Sequence, residues 1–220
     1  MLAGVALATC AAENGDSTIE PLDPEVADLA AMSPFMRQEL ARLREDGWRI
    51  GYRDLTGTGA GGLTEYGTKT VVIDKNIQKD PKWATAVLAH EVGHAYAPDE
   101  FDSEVDAPKP GEKYASWLAR NMYGPLSGEA EAGLVSAQAR KEILDNGGPD
   151  IGNISKPVIA AYEHLVDGEK TRDEMRHDLV KYHLSQSDYS SYVAPLKDIW
   201  NDTYAETHGP AKGTFGPDDY

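Results

Sequence analysis

Asp80-Pro81-Lys82-Trp83-Ala84-Thr85-Ala86-Val87-Leu88-Ala89-His90-Glu91-Val92-Gly93-His94 is the stretch on which the reading of this chain turns. Asp80 offers a side-chain cap, Pro81 suits the first helical position and Pro98 stops the run, so the spacing predicts one helix. His90 and His94 are four apart, which puts both imidazoles on one face of that helix. Two neutral imidazoles so placed can meet one tetrahedral zinc ion at about 2.0–2.1 Å. Glu91 lies about 100 degrees round the helix, where it misses the ion but reaches a water bound to it. A carboxylate there can take a proton as the water attacks a carbonyl, then pass it to a leaving amine. Gly93 would be more cheaply Ala in a helix interior, so its presence asks for close approach by another element, the sheet or the bearer of a third ligand. The bland alternative is two surface histidines; a capped helix preceded by a strand favours the metal.

A catalytic zinc takes three protein ligands and leaves a fourth position for water. A third histidine six residues on is absent: position 100 is Glu100, and no histidine occurs between His94 and His164. Gly128-Glu129-Ala130-Glu131-Ala132-Gly133 supplies two glutamates, 35 and 37 residues beyond His94, among small residues that permit close helix packing. They sit about 200 degrees apart on a helix, so only one can face the ion. Geometry alone leaves Glu129 and Glu131 equal.

Around this centre the chain reads as α+β, mainly helical with a small β-sheet next to the active helix. Ser33-Pro34 opens a helix that Gly47 closes. Trp48–Asp54 and Thr64–Asp74 read as two strands pairing as a hairpin across the Gly-rich turn 56–62, which lacks the ending of a phosphate-binding loop. Helices are expected from Lys113 to Asn121, then, after a turn at Gly124-Pro125, from Ser127 to the stop at Asn146-Gly147-Gly148. Ser155–Val166, Thr171–Leu184 with a Thr171/Glu174 capping box, and Tyr189–Tyr204 with a bend or boundary at Pro195 follow. The expected organisation is a lead-in over 1–32, extended from 13, one domain over 33–206 and a loose tail over 207–220. Met1–Ala12 is apolar but has no Lys or Arg before its apolar run, so it reads as a helix of the fold rather than a signal peptide.

Lys plus Arg number 21 against 37 for Asp plus Glu, a net charge of -16. Nucleic acid and anionic membrane surfaces would repel such a chain. One cysteine, Cys10, excludes an internal disulfide framework.

The motif His90-Glu91-Val92-Gly93-His94 resembles that of the gluzincin metallopeptidases, whose third ligand lies in a Glu-x-x-Ala-Asp or Glu-x-x-Ala-Asn run. Glu129-Ala130-Glu131-Ala132 matches this pattern and the resemblance selects Glu129; Gly133 departs from it, so any carboxylate supporting a ligand histidine must come from elsewhere. Over residues 33–165 the order of Tyr66-Gly67, Ile73-Asp74, the histidine motif, the glutamate run, Glu142-Ile143-Leu144 and Gly147-Gly148-Pro149-Asp150-Ile151-Gly152 is similar to the metallopeptidase domain fused to type VI secretion spike (VgrG) proteins and to related polymorphic toxin domains. The resemblance implies a zincin-like fold with His90, His94 and Glu129 on zinc and Glu91 as general base. It also implies a bacterial effector, fused to or carried by a secretion spike, that acts in a competitor's periplasm on protein or peptidoglycan peptide and is neutralised by a cognate immunity protein. Its rivals are a housekeeping or envelope zinc protease and a non-catalytic binding module stabilised by metal.

An oxyanion developing at the site calls for a further donor. Candidates are Tyr96, Tyr123, His164, His177, His183 and His208, and the helix after Gly147 favours His164 or Tyr162. The acidic run Asp99–Asp106 reads as a solvated loop, or as an attraction for basic peptides.

Overall fold

Four short strands, β1 (Glu20–Pro21), β2 (Arg49–Arg53), β3 (Gly62–Glu65) and β4 (Thr70–Asp74), form one mixed sheet in the order β1-β2-β4-β3 among the described residues. The structure is a computed structural model that describes residues 18–97, 105–184 and 190–212. Central β4 carries Val71-Val72-Ile73, all fully buried, as a strand covered on both faces requires.

The pairing differs from the expected hairpin. Thr64–Asp74 breaks at a turn over 66–69, where Lys69 donates to the Tyr66 carbonyl at 3.1 Å and takes a positive φ of 49°. β3 therefore folds back antiparallel on β4, with Gly62 opposite Ile73 and Thr64 opposite Val71. That leaves β2 the other edge of β4, which it meets in parallel.

Helices α1 (Pro24–Ala31) and α2 (Pro34–Glu45) precede β2. Residues 24–31 are thus helical rather than extended: Val26 and Ala30 are fully buried, and burial of that apolar stripe outweighs the polar residues around it. Ser33 caps α2 through Met36 N–H and donates to Glu142 at 2.6 Å, which ties α2 to the far end of α4 (Tyr114–Asp145).

α3 (Pro81–Tyr96) carries the histidine motif as expected. Asp80 accepts from Trp83 N–H at 3.1 Å, and Ala97 takes the extended backbone that a residue before proline must. The largest correction concerns α4. It runs unbroken for 32 residues through Pro125, where a turn between two helices was expected. Proline removes one ladder hydrogen bond at a cost of about 3 kcal/mol. Leu118, Met122, Leu126, Ala130 and Leu134 recur every four residues across it, all buried in one core, and their burial at roughly 1.5–3 kcal/mol per large side chain exceeds that loss.

α5 (Lys156–Val166) and α6 (Arg172–Leu184) pack on α4, the latter opened by the expected capping box between Thr171 and Glu174. α7 (Ser190–Ile199) contains Pro195 and continues through a π-helical turn, Trp200–Tyr204, into α8 (Ala205–His208). The expected helix at 1–12, residues 98–104 and residues 213–220 lie outside the described residues. The start of the expected loose tail over 207–220 is ordered, with Thr207 and His208 in α8 and the Gly209 carbonyl accepting from Trp200 Nε1 at 2.9 Å. α4 separates two cores. One lies between the sheet and α1–α3, with Leu43, Tyr52, Ile73, Leu88 and Val92; the other gathers Trp117, Leu126, Leu134, Leu179 and Trp200. No helix among the described residues is long and apolar enough to cross a membrane.

Candidate metal centre

Gly93 explains how the site closes. A Cβ built there would lie 2.5 Å from Ala132 Cα and 3.1 Å from the Ala132 carbonyl oxygen. The backbones of α3 and α4 therefore touch where any side chain would hold them apart. Ala86 clusters with Ile143 further along, so the two helices run antiparallel. The close approach answers the expectation for Gly93, and it comes from α4, which bears Glu129 and Glu131, rather than from the sheet.

Across this contact Glu129 meets both histidines. His90 Nε2 lies 3.4 Å from one Glu129 carboxylate oxygen, His94 Nε2 lies 3.5 Å from the other, and the two ring nitrogens are 3.2 Å apart. Donors arranged tetrahedrally about an ion at 2.0–2.1 Å are about 3.3–3.4 Å from one another. The observed separations match that spacing, and His90, His94 and Glu129 form the one group among the described residues fitted to hold a metal ion. Two imidazoles and one carboxylate suit a first-row transition ion or zinc better than calcium or magnesium, which prefer all-oxygen shells.

Glu131, the other candidate, points away. Its buried carboxylate takes Arg172 Nε at 2.7 Å and lies 3.5 Å from Arg176 Nη1, both on α6. One glutamate thus serves the site and the other fastens α4 to α6.

Burial sets the electrostatics. It pushes the Glu91 carboxyl up to about 7, helped by the nearby Glu129 charge and opposed by His90 and by a hydrogen bond from Thr64. It pulls His94 down to about 4, with His90 adding to the fall and Glu129 opposing it, so the ring is neutral and fit to ligate near pH 7. For His90 burial acts in the same sense, but the hydrogen bond and charge of Glu129 outweigh it and the net shift is upward. His90 keeps 28% side-chain exposure and His94 15%, so the centre opens to solvent on the His90 side.

Several neighbours escaped the sequence reading. Thr64 of β3 donates to Glu91, and Tyr66 donates its hydroxyl to the His94 carbonyl oxygen at 2.8 Å. Among the donor candidates, His183 is held down to about 4, first by burial, with the Glu129 charge opposing and His90 adding to the fall. The favoured His164 is half exposed on α5 and pairs with Glu169 at 2.5 Å. Tyr162, on the same helix, is raised first by burial and then by the charge of Glu142, with Arg172 opposing. Tyr96 packs edge-on against Phe35 and beneath Arg172. Strand register and the fold of α6 decide these contacts, and neither has a local sequence signal. Of the acidic run, Asp106 is described and pairs with Arg120; Asp99–Glu104 lie outside the described residues.

Compared with protein-family models, with curated proteins and with solved structures, the chain matches none.

Proposed function

We propose that this chain is a zinc-dependent peptidase of zincin-like architecture, with His90, His94 and Glu129 as metal ligands and Glu91 as general base. One observation carries the reading: two helices bring two imidazoles and a carboxylate to tetrahedral spacing, with a buried, proton-hungry glutamate one residue from a ligand. Bound there, zinc would supply Lewis acidity toward a carbonyl oxygen and lower the pKa of a water. Glu91, buried one residue from a ligand, is placed to take a proton from an attacking water and return it to the leaving amine. His183 is the side chain best supported as a donor to the developing oxyanion.

The likeness in motif order to spike-borne metallopeptidase domains extends the proposal to a bacterial effector. In that role it cleaves protein or peptidoglycan peptide in a competitor's periplasm and is restrained at home by an immunity protein. Loss of growth on export to the periplasm, with none on cytoplasmic expression, is the expected result; unaffected growth in both compartments removes the effector role.

Metal content by mass spectrometry tests the chemistry itself. Wild type and Glu91→Ala should hold one zinc per chain, with hydrolysis of a casein or peptide substrate lost in Glu91→Ala. Glu129→Ala should lose the metal and Glu131→Ala keep it. A wild type that takes up no zinc under adequate supply sinks the proposal, and four protein ligands with no open position would favour a structural metal instead.

A further inference from the structure

Glu91 is held from outside its own helix. Thr64 Oγ1 lies 2.9 Å from Glu91 Oε2 and 2.8 Å from the Glu91 carbonyl oxygen, so its single proton is shared between the side chain and the backbone of the same residue. Two residues earlier on the same face of β3 stands Gly62. A Cβ there would sit 2.7 Å from both Glu91 Cγ and Val87 Cγ1 and 2.8 Å from Glu91 Oε1. Gly62 has no positive φ, so its backbone does not call for glycine. Room for Glu91, and for Val87 one turn earlier on α3, is the remaining reason. One face of one strand thus seats the whole carboxylate, with a hydroxyl on one oxygen and bare backbone beside the other.

The seat is itself fixed. β3 is an edge strand, yet its register on β4 is set by Gly62 opposite Ile73 and Thr64 opposite Val71, and Arg53 of β2 clamps Glu65 with two hydrogen bonds of 2.7 and 3.0 Å. A carboxylate on a bare helix surface would sample several rotamers. Here the neighbouring strand selects one.

We propose that Thr64 is a positioning residue for Glu91, with Gly62 providing the room, so that β3 sets the orientation in which the base meets its water. The inference rests on the reading of Glu91 as the base. Misplacing a catalytic group by about 1 Å can cost on the order of 100-fold in rate. Thr64→Val keeps the side-chain shape and removes the hydroxyl, Thr64→Ser keeps the hydroxyl, and Gly62→Ala pushes on the carboxylate from the other side.

The test combines steady-state kinetics on zinc-loaded protein, zinc content, and crystal structures of wild type and the three variants. Thr64→Val and Gly62→Ala should each lower kcat by about 10- to 100-fold with KM within about twofold and zinc content unchanged. Thr64→Ser should stay within about threefold of wild type. In the crystals Glu91 should lie against Thr64 in wild type and Thr64→Ser and turn away in the other two. Wild-type kcat in Thr64→Val, an equal loss in Thr64→Ser, or an unmoved Glu91 in Thr64→Val overturns the inference. Absence of any hydrolysis by zinc-loaded wild type overturns the peptidase reading instead, while the crystal structures still decide whether Thr64 holds Glu91.

Discussion

The two faces of α4 carry the same residue to opposite ends. Glu129 and Glu131 are two positions apart, and both are almost wholly buried, at 5% and 2% exposure. On the α6 side Glu131 meets two guanidinium groups, Arg172 and Arg176, and the charge is answered by the protein itself. On the α3 side Glu129 meets two imidazole nitrogens at 3.4 and 3.5 Å, rings that ligate a cation when neutral. Burial of a carboxylate requires a partner cation either way. The difference is that Glu131 meets two fixed cations of α6, whereas Glu129 meets two side chains that can share a metal ion with it.

The widest separation between the faces should come from single alanines. Glu129→Ala should weaken metal binding by more than about 100-fold, beyond the 10- to 100-fold typical of residues outside the ligand shell, and abolish hydrolysis. Isothermal titration with zinc measures it. Glu131→Ala should leave metal affinity within about threefold and instead cost about 2–3 kcal/mol in urea unfolding. That is less than the 3–5 kcal/mol of a fully buried pair, because Arg172 keeps 30% exposure. Metal loss in Glu131→Ala with retention in Glu129→Ala would reverse the assignment of the faces.

How far this division was legible in the sequence depended on range. The helix of α3, its Asp80 cap and the pairing of His90 with His94 follow from local spacing, and the structure has them so. The choice between Glu129 and Glu131 does not. It hangs on Arg172 and Arg176, some forty residues away, which take Glu131 only once α6 has packed on α4. The same limit explains Pro125. As a local signal it breaks a helix, while the four-residue apolar stripe from Leu118 to Leu134 is a longer signal pointing the other way, and tertiary burial decided for the stripe. Thr64 was out of reach for a third reason: it meets Glu91 only in the register that β3 takes on β4, and the sequence reading had paired that segment with β2.

Gly93 tests the seam between the faces. Gly93→Ala gains about 1 kcal/mol of helix propensity but forces a methyl group into the Ala132 backbone, 2.5 Å from its Cα. Overpacking of this kind costs about 1–3 kcal/mol, so the net effect on unfolding should be a loss of about 1 kcal/mol. Because the shift moves α4 away from α3, zinc affinity should fall by about tenfold while the ties of Glu131 to α6 survive. An increase in stability with unchanged metal affinity would show that the helices are not held at contact.

The α3 side should also show a reversal of sign with pH. Glu91 is 4% exposed, and its carboxyl is raised from 4.5 to about 7, first by burial. Below pH 4.5 it is protonated in both the folded and unfolded chains. Between 4.5 and 7 the folded chain keeps a proton that the unfolded chain has released. The contribution of Glu91 to stability is therefore complete below the unfolded value and is lost as pH rises through about 7. His94, depressed to about 4, contributes the opposite slope between 4 and 6.5, common to wild type and variant. Glu91→Gln removes the ionisable group while keeping the shape. In metal-free protein it should match wild type within about 0.5 kcal/mol at pH 4 and be more stable by about 1–2 kcal/mol at pH 8. Glu131→Gln, which breaks an ion pair rather than relieving a buried charge, should be less stable than wild type at pH 8. Thermal unfolding of the metal-free proteins across pH 4–8 separates the two, and a Glu91→Gln variant less stable than wild type at pH 8 would place the charge of Glu91 among those the chain answers.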